Sequence, residues 1–242
     1  MNAVERGYIG IAVRILVSVF VLCWAVTPGL AQAPEIGGLL PAGGPRGVVT
    51  SVRIDGKNLT GAKVFVAGSG ITTKSVSVNS AGDQLIVDFT ATAAALLGPH
   101  EVRIVTLTGV SNGSRFWVDV FPNRVLLAPM VESQPPLELE HRDPVVINSR
   151  IASQAGRDRF FLNALANETW VFDLFADRIR SRFDPVVEIR DAAGGLLKVA
   201  QSTWEMDPRF AYHFARDGRY LITVRDAEFK GGPEFKIGRA HV

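Results

Sequence analysis

Period-two alternation is the feature that most restricts this chain. Phe183-Asp184-Pro185-Val186-Val187-Glu188-Ile189-Arg190-Asp191 sets Val187 and Ile189 on one face and Glu188 and Arg190 on the other. Gly218-Arg219-Tyr220-Leu221-Ile222-Thr223-Val224-Arg225-Asp226 repeats the pattern with Tyr220, Ile222 and Val224 on the inward side. Successive side chains of a strand point to opposite sheet faces, so each run predicts a half-buried antiparallel strand. Hydrophobic residues make up 47% and charged residues 21%, enough apolar surface for a packed core. The 23 glycines and 13 prolines punctuate short apolar runs, which favours an all-β chain rich in turns.

Residues 1–33 read as a secretory signal peptide. Arg6 and Arg14 form its positive end, Ile15 to Val26 its apolar run, and Thr27-Pro28-Gly29 its break. Small residues at Leu30-Ala31-Gln32-Ala33 offer cleavage after Ala31 or Ala33. The run is shorter than the roughly 20 residues a spanning helix needs, so no membrane span is expected in the mature chain. The single cysteine, Cys23, lies in this run, leaving no disulfide or thiolate ligand beyond it. Formal net charge is +2. Without Arg6, Arg14, Arg239 and Glu5 the two signs occur in equal number, which provides no field to attract nucleic acid.

From residue 34 to 121 come about six short alternating runs, among them Val48–Ile54, Gln84–Phe89 and Glu101–Leu107. Asp55-Gly56, Gly68-Ser69-Gly70, Gly98-Pro99 and Ser111-Asn112-Gly113 read as breakers between them. This predicts a small sandwich. Pro122–Asp143 carries Pro129, Pro135 and Pro136 and reads as a semi-rigid linker ending in an edge strand. A second β-sandwich is expected over residues 144–236. Ile237-Gly238-Arg239-Ala240-His241-Val242 back-translates to a common sequencing-adapter read, so 237–242 is expected to be a non-native tail on a fragment of a longer chain.

Two resemblances attach to these blocks. Pro41-Ala42-Gly43-Gly44-Pro45-Arg46-Gly47, Ile54-Asp55-Gly56-Lys57-Asn58-Leu59 and Phe116-Trp117-Val118 resemble the opening and close of an IPT/TIG immunoglobulin-like domain. Over 143–236, Gly156, Asp158 and Phe160, Ala176-Asp177-Arg178-Ile179, Phe183-Asp184-Pro185, Asp207-Pro208-Arg209-Phe210 and Asp217-Gly218-Arg219-Tyr220 resemble the bacterial pre-peptidase C-terminal (PPC) domain. Asn167 stands where that family usually has glycine. The first resemblance implies a spacer or interaction domain, the second a jelly-roll-like sandwich of secreted bacterial proteins. Together they imply cell-surface or matrix carbohydrate or protein as partner, without naming a ligand or an oligomeric state.

Chemistry-bearing residues are sparse. His100, His141, His213 and His241 lack metal-binding spacing, and no Gly-x-Ser-x-Gly elbow occurs. Asp158, Asp184, Asp191, Asp207 and Asp217 fall at strand ends and turns, where carboxylates cap backbone amides or, less commonly, gather around structural calcium. Trp170 and Phe172 share an inward face, whereas Trp204 in a loop is the aromatic expected to be exposed. Asn58, Asn112 and Asn167 head glycosylation-type triplets but read as turn asparagines. No catalytic, cofactor or metal residue is assigned. The expected protein is a non-catalytic binding or spacer protein, secreted or of the periplasm and cell envelope. The alternative is a set of accessory domains from a secreted peptidase or other hydrolase whose catalytic domain lies elsewhere.

Overall fold

A computed structural model describes residues 32–139, 144–202 and 206–241, with 238–241 described as backbone only. Residues 1–31, most of the expected signal peptide, the mixed-charge run Glu140-His141-Arg142-Asp143, and Thr203-Trp204-Glu205 lie outside the described residues.

Nine strands build the first sandwich: β1 (Glu35–Leu40), β2 (Gly43–Pro45), β3 (Val49–Lys57), β4 (Lys63–Val66), β5 (Ile71–Val78), β6 (Gln84–Ala91), β7 (Gly98–Thr106), β8 (Gly109–Val110) and β9 (Ser114–Asp119). One sheet has the order β1-β3-β6-β5; the other runs β2-β9-β7-β4, with β8 on β7. Alternation decides what faces inward. Leu85, Val87 and Phe89 of β6 are buried while Ile86 between them is exposed, and Val102 and Ile104 of β7 answer from the facing sheet. Phe89 meets Phe116 edge-on at 4.7 Å in the centre.

The second sandwich has two five-stranded sheets. Its strands are β10 (Asn123–Val125), β11 (Leu137–Leu139), β12 (Val146–Arg150), β13 (Arg157–Ala164), β14 (Thr169–Leu174), β15 (Pro185–Arg190), β16 (Leu196–Gln201), β17 (Arg209–His213), β18 (Gly218–Asp226) and β19 (Lys236–His241). Their orders are β10-β12-β19-β14-β17 and β11-β13-β18-β15-β16. Val187 and Ile189, with Tyr220, Ile222 and Val224, point into one core with Trp170, Phe172 and Phe214. The chain is thus all-β, two sandwiches in tandem.

Two expected breakers change, and the flanking stretches gain strands. Asp55-Gly56 does not break a strand but lies inside β3, and Gly98-Pro99 is the start of β7 itself. Gly56 is required because a Cβ there would run into the Glu35 carbonyl of the paired strand. The glycine-rich lead-in contributes β1 and β2, with a bulge between Ile36 and Gly38. The stretch 122–143 contributes β10 and β11, each a parallel edge strand of a different sheet. Proline removes the amide donor only at its own position, so the residues beside it still pair. Residues 237–241 continue from Lys236 as β19, between β12 and β14, and Ile237 is buried.

Candidate functional site

The acidic side chains singled out above are dispersed over separate corners of the second sandwich. Asp191 accepts the Gly195 amide at 2.7 Å and Asp217 the Ala166 amide at 2.6 Å. Asp207 holds the turn Asp177–Ile179, taking the Asp177 amide at 2.8 Å and the Arg178 side chain at 3.0 Å. Asp184 accepts the Ser202 hydroxyl. Asp226 receives the amides of Glu228 and Lys230, both at 3.0 Å, and that of Asp184. Asp191, Asp207, Asp217 and Asp226 thus cap backbone amides, whereas Asp184 bonds a side-chain hydroxyl. Among the described residues no three His, Cys, Asp or Glu side chains converge as a metal site would require.

Asp158 is different. It is buried between the sheets and accepts the Ser149 hydroxyl from β12. Burial pushes its carboxyl up to about 6, against the opposing pull of that hydrogen bond.

His100 is buried, with its ring nitrogens each 2.9 Å from a carbonyl oxygen, of Ala67 and of Leu96. It ties two loops together. His213 is exposed and shares a 3.1 Å hydrogen bond with Thr169. Asn58 and Asn167 adopt left-handed backbone at φ 56° and 66°, the conformation asparagine tolerates best after glycine. Asn112 binds both backbone groups of Ile36. Trp170 and Phe172 are core residues; Phe172 stacks on Phe210 at 5.1 Å. Trp204 lies outside the described residues.

The most organised polar feature is one that no local pattern announces: the seam between the sandwiches. An apolar patch of Ala42, Phe175 and Ile179 anchors it, with Trp117 edge-on to Phe175 at 4.7 Å. Asn148, fully buried on β12, accepts the Ala42 amide at 3.1 Å and donates to Asn123 at 2.9 Å. Arg180 donates to the Gly113 carbonyl at 2.7 Å and Arg115 to the Arg178 carbonyl at 3.1 Å.

At one end of the seam, charges from both sandwiches converge on Asp55. Gln84 donates to its Oδ1 at 3.0 Å, and Arg53 Nε lies 3.4 Å from the same oxygen. Lys236 Nζ and Arg150 Nη1, from the second sandwich, lie 3.4 Å and 3.8 Å from Oδ2. The Lys236 side chain is only 4% exposed. Burial pulls its ammonium down to about 8, partly countered by Asp55. Gly38 opposite has no Cβ because one would overlap that ammonium. A cleft of about 330 Å³ opens beside the cluster, lined by Arg150, Asp55, Gln84, Lys57 and Glu234 among others.

A second groove, about 510 Å³, lies along the proline-rich arch between β10 and β11, lined by Met130, Pro135, Pro136 and Leu137. Arg159 pins that arch, its Nη2 donating to the carbonyls of Val131, Glu132 and Gln134 at 3.3, 2.8 and 2.5 Å.

No family model matches the chain, and no curated protein matches it significantly. Solved structures similar to it include the adhesin InvE of Yersinia pseudotuberculosis, 11% identical over 88% of this chain, with a TM-score of 0.30. The chain spans 60% of that protein. SGBP-B of the Bacteroides ovatus mixed-linkage glucan utilization locus, solved in complex with a mixed-linkage heptasaccharide, is 10% identical, with 77% of this chain and 72% of that one covered and a TM-score of 0.25. Titin immunoglobulin tandem A164–A165 is 10% identical, with 81% of this chain and 82% of that one covered and a TM-score of 0.26.

Proposed function

We propose that this is a secreted, non-catalytic binding or spacer protein of a bacterial cell envelope or exterior. In this reading an IPT/TIG-like sandwich is followed by a PPC-like one. The carrying observation is the dispersal of its acids: Asp191, Asp207, Asp217 and Asp226 each cap backbone amides at a separate turn. General acid–base or hydrolytic chemistry needs such groups to face one reacting atom. The seam adds a second support, since buried Asn148 and the Phe175–Trp117 contact hold two sandwiches as one semi-rigid body. Recognition then falls to loops, edges and clefts, with surface carbohydrate or protein as the partner class.

Co-sedimentation with isolated cell envelopes and insoluble polysaccharides tests this. The expected result is retention without release of reducing sugar or peptide. Hydrolysis of those substrates by the purified chain would overturn it. The resemblance of 143–236 to the PPC domain supports a second reading, accessory domains of an exported hydrolase. That reading predicts that the chain raises the activity of a partner catalytic domain on insoluble substrate, which a spacer would not do.

A further inference from the structure

We propose that the groove along the proline-rich arch receives an extended segment of a partner protein, which adds as a strand beside β10 and lays apolar side chains against the arch. The alternation of the arch leads there. Arg124, Leu126, Ala128 and Met130 line the groove, while Val125, Leu127 and Val131 between them are exposed. A half-buried extended segment ordinarily turns polar residues to solvent. Here both sides are largely apolar, with Leu127 63% exposed, and a continuous apolar surface of this kind marks a contact site.

The backbone supplies a second observation. β10 is an edge strand, bonded to β12 on one side. The Pro122 carbonyl and the Leu126 amide both bond to β12. Bonding to one neighbour alternates along a strand, so the amides and carbonyls of Asn123 and Val125 face the open edge. Arg124 of β10 itself lines the groove, so side chains on that face of an added strand reach it. Main-chain pairing then gives affinity, and the groove selects side chains at alternate positions. Its volume is about 510 Å³, and Arg159 holds its wall in place before any partner arrives. Charge narrows the chemistry further. Glu138 is engaged by Arg219, whereas Arg124 donates to the Glu138 carbonyl and has no carboxylate partner among the described residues. An aspartate or glutamate in the partner segment supplies one. Sugar is the poorer fit: Leu126, Met130, Pro135, Pro136 and Leu137 form the walls, and among the described residues no aromatic ring offers a stacking platform.

This deepens the binding-module reading above and rests on it for the existence of a partner. The test is selection of a displayed random-peptide library on the full chain, followed by fluorescence polarisation of the enriched peptides. Enrichment of alternating apolar residues with an aspartate or glutamate is expected. Val125→Pro removes an amide that faces outward and should weaken the selected peptide about tenfold or more, with the melting temperature unchanged. Ala128→Glu brings a carboxylate into the groove and should weaken it as much. Val199→Asp on β16, another edge strand with exposed apolar residues, should leave binding unchanged. Absence of enrichment, or peptides that bind Val125→Pro and Ala128→Glu as tightly as the parent, overturns the groove. Displacement of the peptide by dextran or polygalacturonate overturns protein, as against glycan, as its occupant. Either failure leaves the non-catalytic reading standing where cell envelopes still retain the chain, whereas hydrolysis of envelope material sinks that reading and not the groove.

Discussion

Lys236 on β19 and Asp55 on β3 meet across the seam with Nζ 3.4 Å from Oδ2, although neither is near the other in sequence. The pair does not balance. Desolvation of the ammonium outweighs the attraction of the carboxylate, because Arg53 and Arg150 already share Asp55. Lys236 therefore sits below its ordinary value, at about 8 rather than 10.5.

The sign of the pH dependence follows. Between about 8 and 10.5 the unfolded chain holds a proton on this lysine that the folded chain has released. Stability then rises with pH across that window. Below it both states are charged and the folded one carries the full penalty, on the order of 3 kcal/mol. Lys236→Met should be more stable than the parent at pH 7 and lack the alkaline rise. Urea denaturation of both proteins from pH 7 to 10.5, taken as a difference, checks this.

The proline-rich arch supplies a second expectation. Arg159 bonds three arch carbonyls through one nitrogen, and Glu132 pairs with both Arg157 and Arg159. Arg159→Ala leaves those carbonyls to water and should loosen residues 126–136 without opening the core. Hydrogen exchange there should quicken at least tenfold, with a global loss of about 1 kcal/mol. Unchanged exchange in the arch would show that Pro135 and Pro136 stiffen it unaided.

How much of this was legible beforehand depends on the range of the interaction. The inward faces of β15 and β18 follow from alternation, because that period is set by the backbone of one strand. Asn167 follows from local backbone preference and sits in the left-handed region. Gly56 misleads because glycine serves both turns and close strand approaches, and the Glu35 carbonyl that demands it lies on another strand. For the arch, the extended chain and its closing edge strand are legible, but Pro135 and Pro136 do not say that Leu137–Leu139 pairs with β13. The seam is invisible locally, since Asp55, Arg150 and Lys236 come from three strands of two sandwiches.

Asn148 tests whether the sandwiches unfold together. It is fully buried, and its side chain is what the Ala42 amide across the seam bonds to. Asn148→Ala leaves that amide and Asn123 without this partner, at about 1–3 kcal/mol for each group that stays dry. Calorimetry of the parent should give one transition. The variant should separate into two, because the apolar patch around Phe175 is left as the main tie.

Asp158 presents the opposite case to Lys236. Its carboxyl is raised from 3.8 to about 6 by burial, and the Ser149 hydroxyl only partly offsets that. Between those values the folded chain holds a proton that the unfolded chain has lost, so this residue's contribution is full below about 4 and disappears as pH rises through about 6. Other paired carboxylates act in the reverse sense. Glu188 is one: although burial raises it, hydrogen bonds from Arg190 and Arg225 prevail and lower it. The test must therefore be a difference between parent and variant. Asp158→Asn keeps a hydrogen-bonding group opposite Ser149 and removes the buried charge. At pH 7 it should be more stable than the parent by up to about 3 kcal/mol, and at pH 4 nearly equal to it. Denaturation midpoints at pH 4, 5, 6 and 7 give the difference curve. A curve that is flat, or that slopes the other way, would mean that Asp158 is charged and well solvated by its neighbours in the folded chain.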